Sequence, residues 1–275
     1  MSNRHKITIP FIARIDDSEK QRWLQVLQQA LPQYQIVHLK ELDEQDRKQV
    51  EVAIVANPDP QELAVLRSLK WIQSLWAGVE QLVAELQDKK VRIVRLTDPQ
   101  MASTMAEAVL AWTLYLHRDM PCYQQQQRNK IWNPQEPRLS SQRSVGILGM
   151  GKLGLASAER LRQQGFPVNG WSHSKKSIRG VSCFSGEDGL LQMLAKTEIL
   201  IILLPLTEQT KNLVNNFTLA HLPVGASLIN FGRSRIIDDK ALLDQLDRGH
   251  LKHVVLDVFD IEPLPQTSPF WQHSG

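Results

Sequence analysis

The stretch from Val145 to Gly154, VGILGMGKLG, constrains this chain more than any other. Val145 to Leu148 read as a strand buried on both faces. They run directly into three glycines spaced G-x-G-x-x-G, ahead of a helical pattern that continues to about Gln164. Gly149 is expected to permit a tight turn, Gly151 to let the backbone approach a pyrophosphate, and Gly154 to let the helix pack closely on the strand. The helix start would then present free N–H groups and a positive dipole end to the phosphates. A glycine triplet by itself is only a turn. With a strand before it and a helix after it, the segment Gly149, Met150, Gly151, Lys152, Leu153 and Gly154 reads as a dinucleotide-binding loop.

The next strand ends at Trp171. An NAD-specific site usually carries an acidic residue here, about 20 residues past the loop, to hold the ribose 2′-hydroxyl. This chain has Ser172, His173, Ser174, Lys175 and Lys176 instead. Hydroxyls and cations suit a 2′-phosphate, and the missing carboxylate removes a repulsive group. Ser172 to Lys175 are therefore candidate contacts to NADPH, which is expected to be preferred over NADH. The plainer alternative is a solvated basic turn.

Apolar runs alternate with helix-period segments along the rest of the chain. Strands are expected at Ile7–Ile15, Gln35–Leu39, Val52–Ala56, Trp71–Leu75 and Arg92–Leu96. A second series covers Ser144–Leu148, Pro167–Trp171, Ile199–Leu204, Ser227–Asn230 and His253–Phe259. This alternation predicts an α/β protein of two Rossmann-like or flavodoxin-like parallel-sheet domains, residues 1–103 and 104–275, with a cleft between them. One long helix, Asp98–Arg118, joins the two, with Met101, Met105, Val109, Trp112 and Leu116 as its apolar stripe. Cys122–Asn133, with four consecutive glutamines, reads as a loop or arm.

The bulk numbers exclude other classes. Hydrophobic residues at 42% describe a globular chain, and a formal charge of +3 with scattered basic residues argues against nucleic acid. Two distant cysteines, Cys122 and Cys183, give neither a disulfide framework nor metal-ligand spacing. The polar start Met1–Lys6 does not read as a signal peptide, and no apolar run is long enough to span a bilayer. A cytoplasmic protein with no membrane association and no metal is expected.

Two clusters narrow the chemistry. Phe231-Gly232-Arg233-Ser234 follows one predicted strand, and Leu256-Asp257-Val258-Phe259 with Glu262-Pro263-Leu264-Pro265 follows another. Both fall at strand carboxyl ends, where open α/β sheets bind ligands. Arginine there can clamp a carboxylate through two parallel hydrogen bonds. A nearby glutamate suits a partner for an acid–base residue. Singly, Arg233 also reads as a surface helix-start residue and Glu262 as a solvated loop residue.

Taken with Ser74 to Val79, Met105-Ala106-Glu107 and Leu203-Leu204-Pro205-Leu206-Thr207, these motifs run through nearly the whole chain. In that order the chain resembles the D-2-hydroxyacid dehydrogenases, close to their glyoxylate/hydroxypyruvate reductase branch. The resemblance implies reduction of short 2-oxo acids with NADPH. It gives Arg233 the substrate carboxylate and carbonyl, Glu262 a pairing with a catalytic histidine, and Asp257 the nicotinamide amide. Leu204, Pro205, Phe231 and Gly232 would flank the cofactor. Backbone N–H groups of Ala77, Gly78 and Val79 would hold the carboxylate, with Trp76 narrowing the pocket. It also implies a homodimer through the long helix, with Trp132 on the arm nearing the other subunit's site. Gly232 and Ser234 depart from the family's common alanine and glycine, and Trp76 from a smaller residue.

The family's acid–base histidine lies in a Pro-His segment, and a terminal helix follows it. This sequence stops at Gly275 before both. His273 reads as a loop histidine, and His250 and His253 as structural ones. General acid catalysis contributes about 10²–10⁴-fold, so this polypeptide is expected to bind NADPH and turn over poorly. The alternatives are a non-catalytic dinucleotide-binding or regulatory protein, and a dehydrogenase of a larger 2-hydroxy acid such as phosphoglycerate.

Overall fold

The computed structural model describes residues 6–86 and 90–275. Met1 to His5, on which most of the signal-peptide expectation rests, lie outside the described residues. The chain divides between Asp98 and Pro99 into two compact units. The expected boundary after residue 103 falls inside a continuous helix, Pro99–His117, which belongs wholly to the second unit. Pro99 fits that start because its fixed φ suits the first helical turn and its missing N–H is not needed there.

The first unit holds strands β1 (Thr8–Ala13), β2 (Gln35–His38), β3 (Val52–Ala56), β4 (Trp71–Ser74) and β5 (Arg92–Val94). All are parallel, in the order β2-β1-β3-β4-β5. Helices α1 (Asp17–Ala30), α2 (Glu44–Gln49), α3 (Pro60–Ala64) and α4 (Glu80–Leu86) connect them. Asp16 caps α1 by accepting from the Glu19 amide at 2.9 Å. In β1, Ile9, Phe11 and Ala13 face one apolar layer with Leu27 of α1, and Ile12 faces the other with Val55 and Ile72. That period-two split is what burial on both faces requires.

The second unit opens with α5 (Pro99–His117) and α6 (Met120–Arg128). Its strands are β6 (Val145–Leu148), β7 (Val168–Trp171), β8 (Ser182–Phe184), β9 (Ile199–Ile202), β10 (Ala226–Asn230) and β11 (Leu251–Leu256). They too are all parallel, in the order β11-β10-β9-β6-β7-β8. Helices α7 (Lys152–Gln163), α8 (Gly186–Leu194), α9 (Asn216–Leu219) and α10 (Asp239–Asp247) link them. Ile199 and Ile201 pack in one layer with α5 and α7, whereas Leu200 and Ile202 pack in the other with α8 and α10. The chain runs outward from β6 through β7 to β8, then returns to β9 and runs the other way. The β6/β9 boundary is therefore the switch point at which open sheets receive ligands.

Three sequence expectations are corrected here. The short edge strand β8 was not foreseen. The segment expected to be a loop from Cys122 is helical to Arg128, begins with Pro121 in its first turn, and is tied to α5 by Tyr115 Oη to Gln124 at 2.7 Å. The buried stripe of α5 is Ala106, Val109, Thr113 and Leu116, and Trp112 stands 39% exposed, edge-on to Tyr115. After Val109 the face turned to the core continues at i+4, so the smaller Thr113 takes the buried place.

Candidate active site

Strand register builds the site. Trp171, Leu148, Ile202, Asn230 and Leu256 pair in one row across the second sheet. The residues that follow them, Ser172, Gly149, Leu203, Phe231 and Asp257, therefore leave the sheet side by side along one edge. At about 4.8 Å per strand the row spans roughly 20 Å. The basic turn and glycine loop stand at one end, and the arginine and aspartate segments at the other.

At the glycine loop, Gly149 has φ +108°, and a Cβ there would meet the Leu203 carbonyl carbon and oxygen at 2.9 Å. A Cβ on Gly154 would collide with the Gly149 carbonyl oxygen. At Gly151 a Cβ would meet nothing within 4 Å, so the start of α7 opens onto free space. A 12-residue helix pointing its N-terminus at an open, side-chain-free cradle fits a dinucleotide pyrophosphate. Met150 is buried, and its side chain fills the space a Cβ on Gly170 of β7 would need, with Sδ at 2.6 Å. Lys152 is exposed and Leu153 packs into the core beneath. Beside the loop, Ser172 is buried with its hydroxyl donating to the Ser174 carbonyl at 2.8 Å. His173, Ser174 and Lys175 are exposed.

Leu204 is buried, and exposed Pro205 begins a turn that Thr210 closes, its hydroxyl donating to the Pro205 carbonyl at 2.7 Å. At the far end, Asn230 is fully buried. Its Oδ1 accepts from the Gly232 amide at 2.9 Å and its Nδ2 donates to the Arg233 carbonyl at 3.2 Å. One side chain thus shapes the Phe231–Arg233 turn. A Cβ on Gly232 would lie 2.8 Å from the Leu204 carbonyl oxygen, which accounts for glycine at this position. Arg233 is half-buried, with one guanidinium nitrogen 2.8 Å from the Gly232 carbonyl. Asp257 is exposed, with its amide donating to the Asn230 carbonyl at 3.1 Å. Glu262 is exposed, and its carboxylate accepts from the Phe259 amide at 2.9 Å.

Set against known proteins, residues 110–275 match the family model described as D-isomer specific 2-hydroxyacid dehydrogenase, NAD binding domain. This chain belongs to that family. Glyoxylate/hydroxypyruvate reductase A of Salmonella heidelberg is 37% identical over 257 residues, covering 91% of this chain and 81% of that one. The D-isomer specific 2-hydroxyacid dehydrogenase of Xanthobacter autotrophicus Py2, solved with NADPH and MES, superposes with a TM-score of 0.89 at 38% identity. That match covers 98% of this chain and 85% of the other. The NADPH-dependent glyoxylate/hydroxypyruvate reductase of Sinorhizobium meliloti, solved with NADP and sulfate, gives a TM-score of 0.88 at 30% identity, covering 98% and 86%. The protein is thus an oxidoreductase of the 2-hydroxyacid dehydrogenase family.

The remaining candidates lie off this edge. Trp76, Ala77, Gly78 and Val79 follow β4 in the first unit. Buried Ser74 shapes their turn by accepting from the Trp76 amide at 3.0 Å and donating to its carbonyl at 3.1 Å. Trp132 follows α6 and is 94% exposed. Among the described residues no cluster of potential metal ligands occurs, and no helix is long and apolar enough to cross a membrane. Both cysteines are free. Sequence reasoning gave no role to Ser74, Asn230 or Thr210. Their signal is a short polar residue one to five positions from a site turn.

Proposed function

We propose that this chain reduces short 2-oxo acids, glyoxylate and hydroxypyruvate, to 2-hydroxy acids, using NADPH in preference to NADH. NADPH, when bound, supplies hydride to the carbonyl carbon. The residues Gly149 to Gly154 hold its pyrophosphate, Ser172 to Lys175 its 2′-phosphate, and Asp257 its carboxamide, with Leu204, Pro205, Phe231 and Gly232 lying against it. Arg233 holds the substrate carboxylate and offsets the negative charge that grows on the carbonyl oxygen. In the first unit, Ala77, Gly78 and Val79 are substrate contacts through their backbone N–H groups, and Trp76 limits substrate size.

The observation that carries this reading is the row of strand ends. It sets a turn rich in hydroxyls and cations, with no carboxylate from Ser172 to Lys176, directly beside a bare helix N-terminus. The NADPH and NADP complexes of two relatives support it.

The proton donor is a separate matter. The seven described histidines have other settings. His38 Nδ1 accepts from the Lys40 amide, and His117 packs on Phe166. His173 is exposed in the basic turn, while His221 and His250 face the carbonyls of Phe217 and Leu219. His253 is in β11, and His273 pairs with Asp247 at 3.2 Å. Glu262 closes its own turn.

Titrating the protein with NADPH and with NADH tests the cofactor. NADPH is expected to bind about tenfold tighter or better, and tighter NADH would reject the preference. Following NADPH oxidation with glyoxylate, hydroxypyruvate and larger 2-oxo acids tests the rest. Binding with no oxidation at any acid marks a binding or regulatory protein. A higher kcat/KM on larger acids marks a different substrate class.

We further propose a cytoplasmic homodimer joined through α5 and the arm that follows α6. Trp132 and Ile131 are too exposed for side chains that a lone chain would gain by burying. A monomeric mass by light scattering at micromolar concentration would reject it.

A further inference from the structure

Lys176 sits in the basic turn yet reaches away from it. Its ammonium donates to the Met150 carbonyl oxygen at 2.6 Å, joining residues 26 positions apart. Unlike exposed Lys175, Lys176 is half-buried. Met150 is held at its other end by burial of its side chain against Gly170. The residue between Gly149 and Gly151 is therefore fixed at both ends, and the glycine loop cannot shift without breaking one of these contacts.

We propose that Lys176 is a positioning residue for the phosphate loop, and that the 2′-phosphate contacts come from its neighbours in the turn. This assignment rests on the dinucleotide reading of the same site. An ammonium bonded to a loop carbonyl acts on the pyrophosphate that all nicotinamide dinucleotides share. A cation bonded to the 2′-phosphate acts on NADPH alone. The two roles are therefore separable by cofactor choice. Loss of one charge-assisted bond, partly open to solvent, corresponds to about tenfold in an equilibrium constant.

The experiment compares dissociation constants for NADPH and NADH in the full chain and in Lys176→Met, Lys176→Arg and Lys175→Met. Thermal melts check that each variant is folded. Lys176→Met is expected to weaken both cofactors about tenfold, leaving their ratio within about twofold of the parent's. Lys176→Arg, which keeps a donor and a charge, is expected to recover most of the loss. Lys175→Met is expected to weaken NADPH alone. Loss confined to NADPH in Lys176→Met, or no loss with either cofactor, would overturn the assignment. If Lys176→Met fails to fold, an unchanged NADPH-to-NADH ratio in a folded Lys176→Gln with both affinities reduced supports the assignment, and a changed ratio overturns it. Tighter NADH binding by the parent would sink the NADPH preference, and the parallel losses in Lys176→Met would still be read.

Discussion

The two ends of the second sheet are built from different materials. At the carboxyl ends of β6, β9 and β10 the chain presents glycine, backbone amides and turns shaped by Asn230 and Thr210. At the amino ends, about 13 Å away along four-residue strands, the same sheet is closed by charge. Glu198, just ahead of β9, accepts from Arg138 at 2.6 Å and from the Ser144 amide at 3.1 Å. Arg143 lies 4.0 Å from the same carboxylate and donates to the last turn of α5 at the Leu116 carbonyl. His117 is buried beside this cluster. The carboxyl end is shaped by glycine and backbone turns, and the amino end is clamped by paired charges. Binding and stability should then respond to different residues.

The hardest blow to this contrast falls at Gly154. In Gly154→Ala the new methyl meets a backbone carbonyl, so no flexible side chain can yield. A destabilisation of about 3 kcal/mol is expected, together with loss of measurable NADPH binding. Urea midpoints and cofactor titration check both. Wild-type affinity in this variant would show that the loop is held by something other than its glycines.

Glu198→Gln attacks the opposite end. It removes the carboxylate that Arg138 pairs with and half-buried Arg143 approaches, for an expected cost of about 2 kcal/mol. The NADPH dissociation constant should stay within about twofold. A larger change in affinity would mean that the two ends are coupled through the strands.

Acid probes the same end more gently. Burial, then the charges of Arg143, Arg118 and Arg138, hold His117 below the ordinary histidine value of 6.5. Burial, then Lys252, does the same for His253, whose Nε2 is buried without a partner. The folded protein refuses protons that the unfolded chain accepts. Stability is therefore complete above pH 6.5 and falls below it, until the folded-state histidines themselves protonate. Urea midpoints should fall as the pH goes from 7 to 5.5. His117→Phe, which keeps an aromatic ring against Phe166, should flatten the slope. Glu198 acts in a separate window. Burial raises its pKa, but the Arg138 and Ser144 bonds and the arginine charges outweigh this and hold it below 4.5, so its contribution survives until the pH falls beneath that value.

The same contrast explains what was legible in the sequence. The glycine loop and its strand were readable because backbone rules dictate them: a buried apolar run, a positive φ, a helix packed too closely for a Cβ. Both sheets were readable from alternation alone. The edge strand β8 was not, because three residues of mixed polarity around Cys183 carry no period. Nor was α6, whose glutamines fit a helix as well as a solvated arm and are settled by Pro121 and the Tyr115 contact. Asn230, Ser74 and Thr210 look like any loop residues until register shows which turn they close. The roles proposed for Arg233 and Glu262 rest on family resemblance alone, since one charge at a strand end is ambiguous.

Glu262 offers the finest test, because the effect expected there is the smallest. Its side chain is exposed, and its bond to the Phe259 amide closes a local turn at the surface. Water replaces such a bond cheaply, so Glu262→Ala should change stability by under about 0.5 kcal/mol. It should also leave NADPH affinity within about twofold, since the glycine loop lies at the other end of the row. Whatever glyoxylate turnover the chain shows should also stay within about twofold, because this carboxylate closes the Phe259 turn and none of the described histidines pairs with it; a loss of about tenfold would show that it orients an acid–base group. A marked drop in urea midpoint would mean that the reacting end is also a structural clamp, and the division of labour between the two ends would not hold.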